Sequence, residues 1–147
     1  MIIKYKKLNE FAIEPTKGSE YAAGHDLYAA IKEPITIAPH STVKIGTGIA
    51  LDLEPEICIF AGIFARSGLA TKKGLRPANC IGVCDTDYRG EYIVAIHNDT
   101  DEFMEIQPGE RIAQLILIPF EPISFQEVKS LSETERGEGG FGHSGSF

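Results

Sequence analysis

The stretch VKIGTGIALDL, residues 43–53, decides the fold class because its large apolar side chains fall mainly on odd positions. Successive side chains on a β-strand point to opposite faces, so this alternation is typical of a strand with one buried face. The positions that share this apolar face are Val43, Ile45, Ile49, Leu51 and Leu53. Residues 43–53 therefore predict a half-buried β-strand.

Similar signals recur along the chain. Ile35 with Ile37, and residues 57–64, 92–96 and 112–118, are further strand candidates rich in β-branched side chains. Fifteen glycines and eight prolines interrupt them at short intervals and leave little room for a long helix. The best helical window follows Ser67 and stops at Gly74. We predict an all-β, jelly-roll-like barrel over residues 1–125, followed by a mobile glycine-rich C-terminal arm over residues 126–147.

Composition limits the function. A chain of 147 residues and 16.0 kDa is typical of one domain. The net charge of −7 argues against a nucleic-acid binder, whose affinity comes from neutralising backbone phosphates, but it does not exclude a nucleotide. No apolar run reaches the roughly 18 residues of a membrane span, and the first residues lack the apolar core of a signal peptide. Three cysteines without a CxxC spacing indicate free thiols, so we expect a cytoplasmic protein without a membrane partner.

The end of the chain, RGEGGFGHSGSF at residues 136–147, has five glycines among its twelve residues. Such a segment has little to pack and is costly to order, which is typical of a disordered terminus. It also carries Arg136 and Phe141, a guanidinium and a ring. Together with exposed N–H groups, these suit a lid over a ligand with phosphates at one end and a flat base at the other.

Asp26 stands at the start of a predicted strand, within AGHDLYAA at residues 23–30. A carboxylate here can hold water on a hard cation such as Mg²⁺, which keeps most of its hydration shell. An ordinary turn with a solvated aspartate is the alternative.

Residues 66–68 read RSG and enter the predicted helix. Arg66, Ser67 and Gly68 suit phosphate oxygens, although a serine N-cap beside a surface arginine has the same sequence.

Residues 79–93, NCIGVCDTDYRGEYI, predict a strand, a turn and a second strand, that is, a hairpin. Acids and a tyrosine at its bend can hold a flat base while a carboxylate polarises a water, or the acids can simply form the turn.

In GERIAQLI, residues 109–116, Gln114 interrupts an apolar run, so its amide must bind either neighbouring backbone or a phosphate. Arg111 is interpreted as a structural ion-pair partner.

Five segments in this order resemble the motifs of the trimeric dUTPase family along nearly the full chain. They are AGHDL at 23–27, RSG at 66–68, GVCDTDYRG at 82–90, GERIAQ at 109–114 and RGEGGFG at 136–142. The resemblance implies a jelly-roll-like β-clip fold and a homotrimer whose active sites combine several chains. It implies hydrolysis of dUTP to dUMP and diphosphate with Mg²⁺ bound to the triphosphate. That reaction limits uracil incorporation into DNA and supplies dUMP for thymidylate synthesis.

The resemblance also implies a role for each matching residue. Asp85 would activate the attacking water, and Asp26 would hold the metal through water. The phosphates would be bound by Arg66, Ser67, Gly68, Gln114 and, at the γ end, Arg136. The base and sugar would be contacted by Asn79, by main-chain groups of Val83, Cys84 and Ile93, by Tyr88 on the deoxyribose, and by Phe141 with Gly142 of the arm. His25, Cys84 and Ala65 depart from the commonest family pattern, but none removes a group that the mechanism requires.

Two alternatives remain at this point. The related dCTP deaminases share the fold and the Arg-Ser phosphate motif, but the hairpin and the glycine-rich end favour a dUTPase. A nucleotide-sensing or protein-binding module would keep the barrel and lose turnover. The presence of Asp85, Gln114 and Arg136 argues against that reading.

Overall fold

The computed structural model describes residues 1–140, in which twelve short strands and one short helix form the regular structure, with a 3₁₀ turn at Pro55–Ile57. The strands are β1 (Lys4–Lys7), β2 (Thr16–Lys17), β3 (His25–Tyr28), β4 (Ile35–Ile37), β5 (Thr42–Gly46), β6 (Ile49–Asp52), β7 (Ile59–Phe64), β8 (Leu75–Pro77), β9 (Ile81–Cys84), β10 (Ile93–Asn98), β11 (Met104–Ile106) and β12 (Arg111–Pro119), and the helix is α1 (Ser67–Lys73). None of the helices in this part of the chain is long and apolar enough to span a bilayer.

The strands pair into antiparallel sheets that wrap around one core. The largest has the order β2-β3-β12-β7-β9, and a second has the order β5-β10-β8. Two-stranded sheets, β1-β6 and β11-β4, complete the barrel. The predicted all-β, jelly-roll-like fold is confirmed. Strands that are neighbours in sequence mostly pair with distant strands, so residues far apart in the chain meet at the same sheet edge.

The stretch at residues 43–53 forms two strands rather than one. β5 pairs with β10 and β6 pairs with β1, so the chain changes sheets at Thr47 and Gly48. Gly48 has φ +65°, and a Cβ there would lie 2.6 Å from Cβ of Ala12, so only glycine fits this corner. Ile45, Ile49 and Leu51 are buried as the alternation predicts, but Ala50 between them is buried as well, so β6 is covered on both faces and is not the half-buried strand predicted.

The core is built from strand residues of every sheet. Its fully buried large side chains include Leu27, Ile37, Ile45, Ile49, Leu53, Leu75, Tyr92, Ile96, Ile106 and Ile112. Each aliphatic side chain of this size contributes about 1.5–3 kcal/mol through its burial. Tyr92 is the one aromatic among these largest buried side chains of residues 1–140, and its ring lies below a loop of the candidate site.

Helix α1 matches the predicted helical window. Helix α1 starts at Ser67 and ends at Gly74, whose φ is +64° and whose N–H donates to the carbonyl of Ala70. The last strand ends at Pro119, and residues 120–138 are exposed and outside any helix or strand. The division between a barrel at residues 1–125 and an arm at residues 126–147 stays a prediction.

Candidate active site

A buried carboxylate between two arginines forms the centre of the candidate site. Arg66 donates from Nε to Oδ1 of Asp26 at 2.7 Å, and Arg111 donates from Nη1 to Oδ2 at 3.2 Å. Asp26 is only 7% exposed, whereas half of the Arg111 side chain is accessible. The interpretation of Arg111 as an ion-pair partner is confirmed.

The sheet register brings these groups together. Asp26 on β3 pairs with Gln114 on β12, and Gln114 pairs with Phe64 at the end of β7, two residues before Arg66. The β3–β12 register shifts between Arg111 and Ala113, a bulge that turns Arg111 towards the same carboxylate. Three motifs that are distant in sequence therefore lie side by side on the adjacent strands β3, β12 and β7 of the five-stranded sheet.

Gln114 finds its partner in neighbouring backbone. Its Nε2 donates to the carbonyl of Ala65 at 3.0 Å, which attaches the residue before Arg66 to strand β12. Gly24 makes room for this amide, because a Cβ at Gly24 would lie 2.9 Å from Oε1 of Gln114. Of the two partners predicted for Gln114, the structure shows the backbone. The structure also explains the glycine at position 24, for which the sequence alone gave no reason.

The Arg66–Gly68 segment begins the helix differently from a serine N-cap. Arg66 itself is the N-cap residue, without a side-chain capping bond, and Ser67 is the first helical residue. The serine N-cap alternative is therefore wrong. Ser67 and Gly68 are exposed, and a Cβ at Gly68 would meet no atom within 4 Å. This segment offers a guanidinium, a hydroxyl and open backbone on one accessible surface.

The predicted hairpin over residues 79–93 is wrong in its pairing. Strand β9 pairs with β7, while β10 pairs with β5 and β8, so residues 85–92 pass from one sheet to another. Thr86 donates from its hydroxyl to the carbonyl of Ile59, and Arg89 donates to the carbonyl of Leu53, both within 2.8 Å. The turn exists, but contacts with distant strands hold it, because the link is longer than a tight hairpin turn.

Asp85 is exposed at the end of β9. The main-chain carbonyl of Asp85 accepts the N–H of Tyr88 at 3.1 Å, which turns the chain and leaves the carboxylate facing solvent. Cys84 beside it is half-buried, and burial, followed by the charge of Asp85, raises the pKa of the Cys84 thiol. The Cys84 thiol therefore stays protonated near pH 7, and a protonated thiol is unreactive as a nucleophile.

The residues expected to contact the base lie along β9 and β10. β9 is an edge strand, so within the described chain one side of its backbone is free of strand pairing. Val83 and Ile93 expose 63% and 52% of their surface. Asn79 is exposed, and its Nδ2 would lie 3.6 Å from a Cβ at Gly82. The structure thus places Asn79 beside the start of the free edge.

Tyr88 lies on a second tyrosine. The Tyr88 and Tyr92 rings are stacked with centroids 5.9 Å apart and planes inclined by 20°, and Tyr88 donates from its hydroxyl to the carbonyl of Glu91. Tyr92 was missed as a site residue, because in sequence it appears only as the first apolar residue of a strand. Burial raises its pKa well above the usual tyrosine value. Within residues 1–140, its hydroxyl has no hydrogen-bond partner.

Not every predicted residue reaches this region. Arg136 is exposed, and its Nε donates to the carbonyl of Gly139 within its own segment. Phe141 and Gly142 lie outside the described residues. Among residues 1–140, no cluster of three or more His, Cys, Asp or Glu side chains is arranged to hold a metal ion.

His25 points to the other face of β3 from Asp26, since neighbouring strand residues alternate. It lines a cavity of about 380 Å³, together with Tyr5, Glu14 and Leu115 among others. Tyr5 donates from its hydroxyl to the Glu14 carboxylate at 2.9 Å. His25 therefore lies away from the carboxylate–arginine centre, although it is adjacent to Asp26 in sequence.

Comparison with known proteins gives a consistent result. The family model described as dUTPase matches residues 10–145. The deoxyuridine 5'-triphosphate nucleotidohydrolase of Aeromonas salmonicida is 43% identical over 89% of this chain and 86% of its own. That of Desulfitobacterium hafniense is 43% identical over 97% and 94%. A Staphylococcus bacteriophage 80alpha dUTPase G164S mutant with dUpNHpp, solved as a structure, matches with a TM-score of 0.86 and 27% identity over 98% of each chain.

The fold, the ordered motifs and these relatives agree, and the chain belongs to the dUTPase family of nucleotide hydrolases.

Proposed function

We propose that the enzyme hydrolyses dUTP to dUMP and diphosphate through a water that Asp85 activates for attack on the α-phosphorus. Phosphoryl transfer asks little covalent chemistry of the protein, so positioning and charge neutralisation carry catalysis. The exposed carboxylate of Asp85 is suited to accept the proton of that water. Arg66, held by Asp26, keeps its outer guanidinium nitrogen for a phosphate oxygen.

The β7–β9 ladder carries the proposal that each site is shared between subunits. Ala61 pairs with Cys84 and Phe64 pairs with Ile81, so Asp85 and Arg66 lie beyond opposite ends of this ladder. At about 3.3 Å per residue the two ends are about 10 Å apart. A base and a phosphate-binding arginine serve one triphosphate only when both approach its reacting end. We therefore infer a homotrimer in which Asp85 of one subunit meets Arg66 of another.

The free edge of β9 supports recognition of uracil by main chain. Alternate residues of β9 turn their N–H and C=O groups to the free edge, so within Val83–Cys84 one residue can offer both groups to the flat base, and Asn79 and the main chain of Ile93 complete the set. Cytosine presents the reverse donor and acceptor pattern at its pairing edge. Buried polar groups left unpaired discriminate strongly, so we expect rejection of dCTP.

The sugar and the far ends of the nucleotide are assigned to three further groups. Tyr88 packs on the deoxyribose and leaves no space for a 2′-hydroxyl. Ser67, Gly68 and Gln114 join Arg66 at the phosphates. From the arm, Arg136 binds the γ-phosphate, while Phe141 and Gly142 close over the base. Exposure of residues 120–138 fits an arm that is free to reach a neighbouring subunit.

Mg²⁺ fits this site only as an ion that arrives with the triphosphate. The described chain has no direct ligand cluster, but Mg²⁺ usually keeps several waters and needs few protein oxygens. Each carboxylate oxygen of Asp26 accepts one arginine N–H and retains a lone pair for a metal-bound water. When bound, the ion would neutralise charge on the phosphate oxygens. Asp26 would hold it through water.

The cellular setting is proposed from the thiols. Cys58, Cys80 and Cys84 are all free, as expected in a reducing compartment. The net charge of −7 disfavours binding to nucleic acid. We therefore propose a cytoplasmic enzyme whose partners are dUTP and its own copies.

Diphosphate release from dUTP, dTTP, dCTP and UTP tests the reaction, the base choice and the sugar choice together. We expect rapid release from dUTP and slow release from the other three. Ammonia from dCTP would instead identify a deaminase, and tight dUTP binding without diphosphate would identify a sensing module. Light scattering should give about three times the chain mass, and a monomer would contradict the shared site.

A further inference from the structure

Tyr88 is the exposed member of an aromatic pair whose other member is fixed in the core. Tyr88 is 42% exposed, whereas Tyr92 below it is 1% exposed. The stack has centroids 5.9 Å apart, within the range in which aromatic pairs attract each other. An exposed ring without such support could move away from a bulkier ligand. The stack therefore determines where Tyr88 can be.

Tyr92 is held by backbone hydrogen bonds on both sides. Its N–H donates to the carbonyl of Ile49 at 2.8 Å. Its carbonyl accepts the Thr47 hydroxyl at 2.6 Å and the Thr47 N–H at 3.3 Å. These contacts attach Tyr92 to the corner where β5 passes into β6. Its ring is thus a rigid support rather than a second mobile side chain.

Two further contacts keep Tyr88 on this support. Its hydroxyl donates to the carbonyl of Glu91 at 3.0 Å. Gly90 lies against the same ring, and a Cβ there would collide with the Tyr88 hydroxyl. The Tyr88 ring therefore has one position defined by stacking below, a hydrogen bond at its tip and a glycine beside it.

We infer that Tyr92 is a specificity-determining positioning residue: its ring supports Tyr88 from below, so that Tyr88 cannot retreat to admit a ribose 2′-hydroxyl. The inference rests on the proposed function, in which Tyr88 packs on the deoxyribose. A steric barrier discriminates only if the side chain that forms it stays in place, and the buried Tyr92 ring keeps the Tyr88 ring in place. The Tyr92 hydroxyl is not needed for this role, because it has no partner in the described chain.

The test compares kcat/KM for dUTP with kcat/KM for UTP in matched variants. Tyr92→Met keeps a large apolar side chain without a flat ring and is expected to lower the dUTP/UTP ratio about tenfold. Tyr92→Phe keeps the ring and should retain the wild-type ratio. Ile96→Val, at a fully buried position of β10, the strand that follows Tyr92, controls for a loosened core and should also retain the ratio.

A double variant separates positioning from general damage. If Tyr92 acts through Tyr88, then Tyr88→Ala with Tyr92→Met should have the same ratio as Tyr88→Ala alone. Gly90→Ala displaces Tyr88 with the core intact, and it is expected to lower the ratio even if Tyr92→Met does not fold. A wild-type ratio in folded Tyr92→Met, or in Gly90→Ala, overturns the inference.

Failure of the proposed function gives a different result. A wild-type enzyme that releases no diphosphate from dUTP contradicts the reaction itself. If the wild-type enzyme accepts dUTP and UTP equally, there is no barrier to the ribose, and the inference about Tyr92 is wrong. A wild-type enzyme that prefers dUTP, with variants that keep this preference, leaves the function standing and removes only the role of Tyr92.

Discussion

Arg66 donates from Nε to Oδ1 of Asp26 at 2.7 Å, and this hydrogen bond joins the loop after β7 to the strand β3 across the sheet. The bond uses the inner nitrogen of the guanidinium, and the outer nitrogen Nη1 of Arg66 donates to the carbonyl of Arg111 at 3.4 Å. Arg111 binds the other oxygen. Asp26 thus fixes the positions of two partly exposed cations, Arg66 and Arg111.

Replacing Asp26 by Asn should leave two arginines without a charged acceptor. We expect the free energy of unfolding to fall by about 2–3 kcal/mol, because removing one partner of a buried ion pair is costly. Asp99→Asn is the matched control, since Asp99 pairs with Arg76 but is 42% exposed, and such surface pairs contribute about 0–1 kcal/mol. Urea denaturation measures both, and equal losses would show that burial of Asp26 has no special importance.

This relationship shows what the sequence could and could not predict. Residue type and motif order predicted Asp26 and Arg66 as site residues, and the apolar pattern predicted most of the strands. Contact between the two residues depends on the register of β3, β12 and β7, which a linear pattern does not contain. The assignment of Asp26 to a metal overlooked its nearest partners for that reason.

The errors have a common physical cause. The sequence pattern of residues 43–53 and of residues 79–93 is local, but each segment passes from one sheet to another. In residues 43–53 the large apolar residues stay on odd positions across the change of sheets, so only Gly48 marks that change in the sequence. Tyr92 was overlooked similarly, because its importance comes from the ring above it and not from its neighbours in sequence.

Asp85→Asn should bind dUTP almost normally and turn it over far more slowly. General-base catalysis contributes about 10²–10⁴-fold, so we expect kcat to fall by that factor while the affinity measured by calorimetry stays similar. Asp87→Asn lies in the same turn, also exposed, and serves as the control that should keep its activity. Comparable losses in both variants would indicate that the turn, rather than the Asp85 carboxylate, is responsible.

Mixing two inactive variants tests the shared site directly. Asp85→Asn and Arg66→Ala, unfolded together in equal amounts and refolded, should form mixed trimers. A site that takes Asp85 from one chain and Arg66 from another is intact in about a quarter of cases. We therefore expect about a quarter of wild-type diphosphate release. If both residues served a site within one chain, the mixture would remain as inactive as its components.

Deleting residues 136–147 should impair catalysis without unfolding the barrel. Residues 126–138 are exposed, so their core contribution is small. We expect an unchanged thermal midpoint and oligomer mass, and a kcat/KM lower by about 10²-fold, because a closing lid positions the substrate and excludes water. Deletion of residues 143–147 alone keeps Arg136 and Phe141 and should leave most activity. Wild-type kcat/KM in the chain that lacks residues 136–147 would make that part of the arm irrelevant to catalysis.

Burial of Tyr92 predicts loss of stability at alkaline pH. Its pKa is raised in the folded state, chiefly by burial, above the ordinary value of 10.0. The folded protein therefore keeps a proton that the unfolded chain releases, and this contribution is complete below about pH 10 and decreases as pH rises further. The free energy of unfolding should lose up to about 1.4 kcal/mol per pH unit from this group.

Tyr92→Phe should remove this part of the pH dependence of the free energy of unfolding, whereas Tyr21→Phe, at a position 90% exposed, should not. Denaturation series above pH 10 measure the difference, and parallel curves for the wild type and Tyr92→Phe would show that Tyr92 ionises as freely in the folded protein as in the unfolded chain.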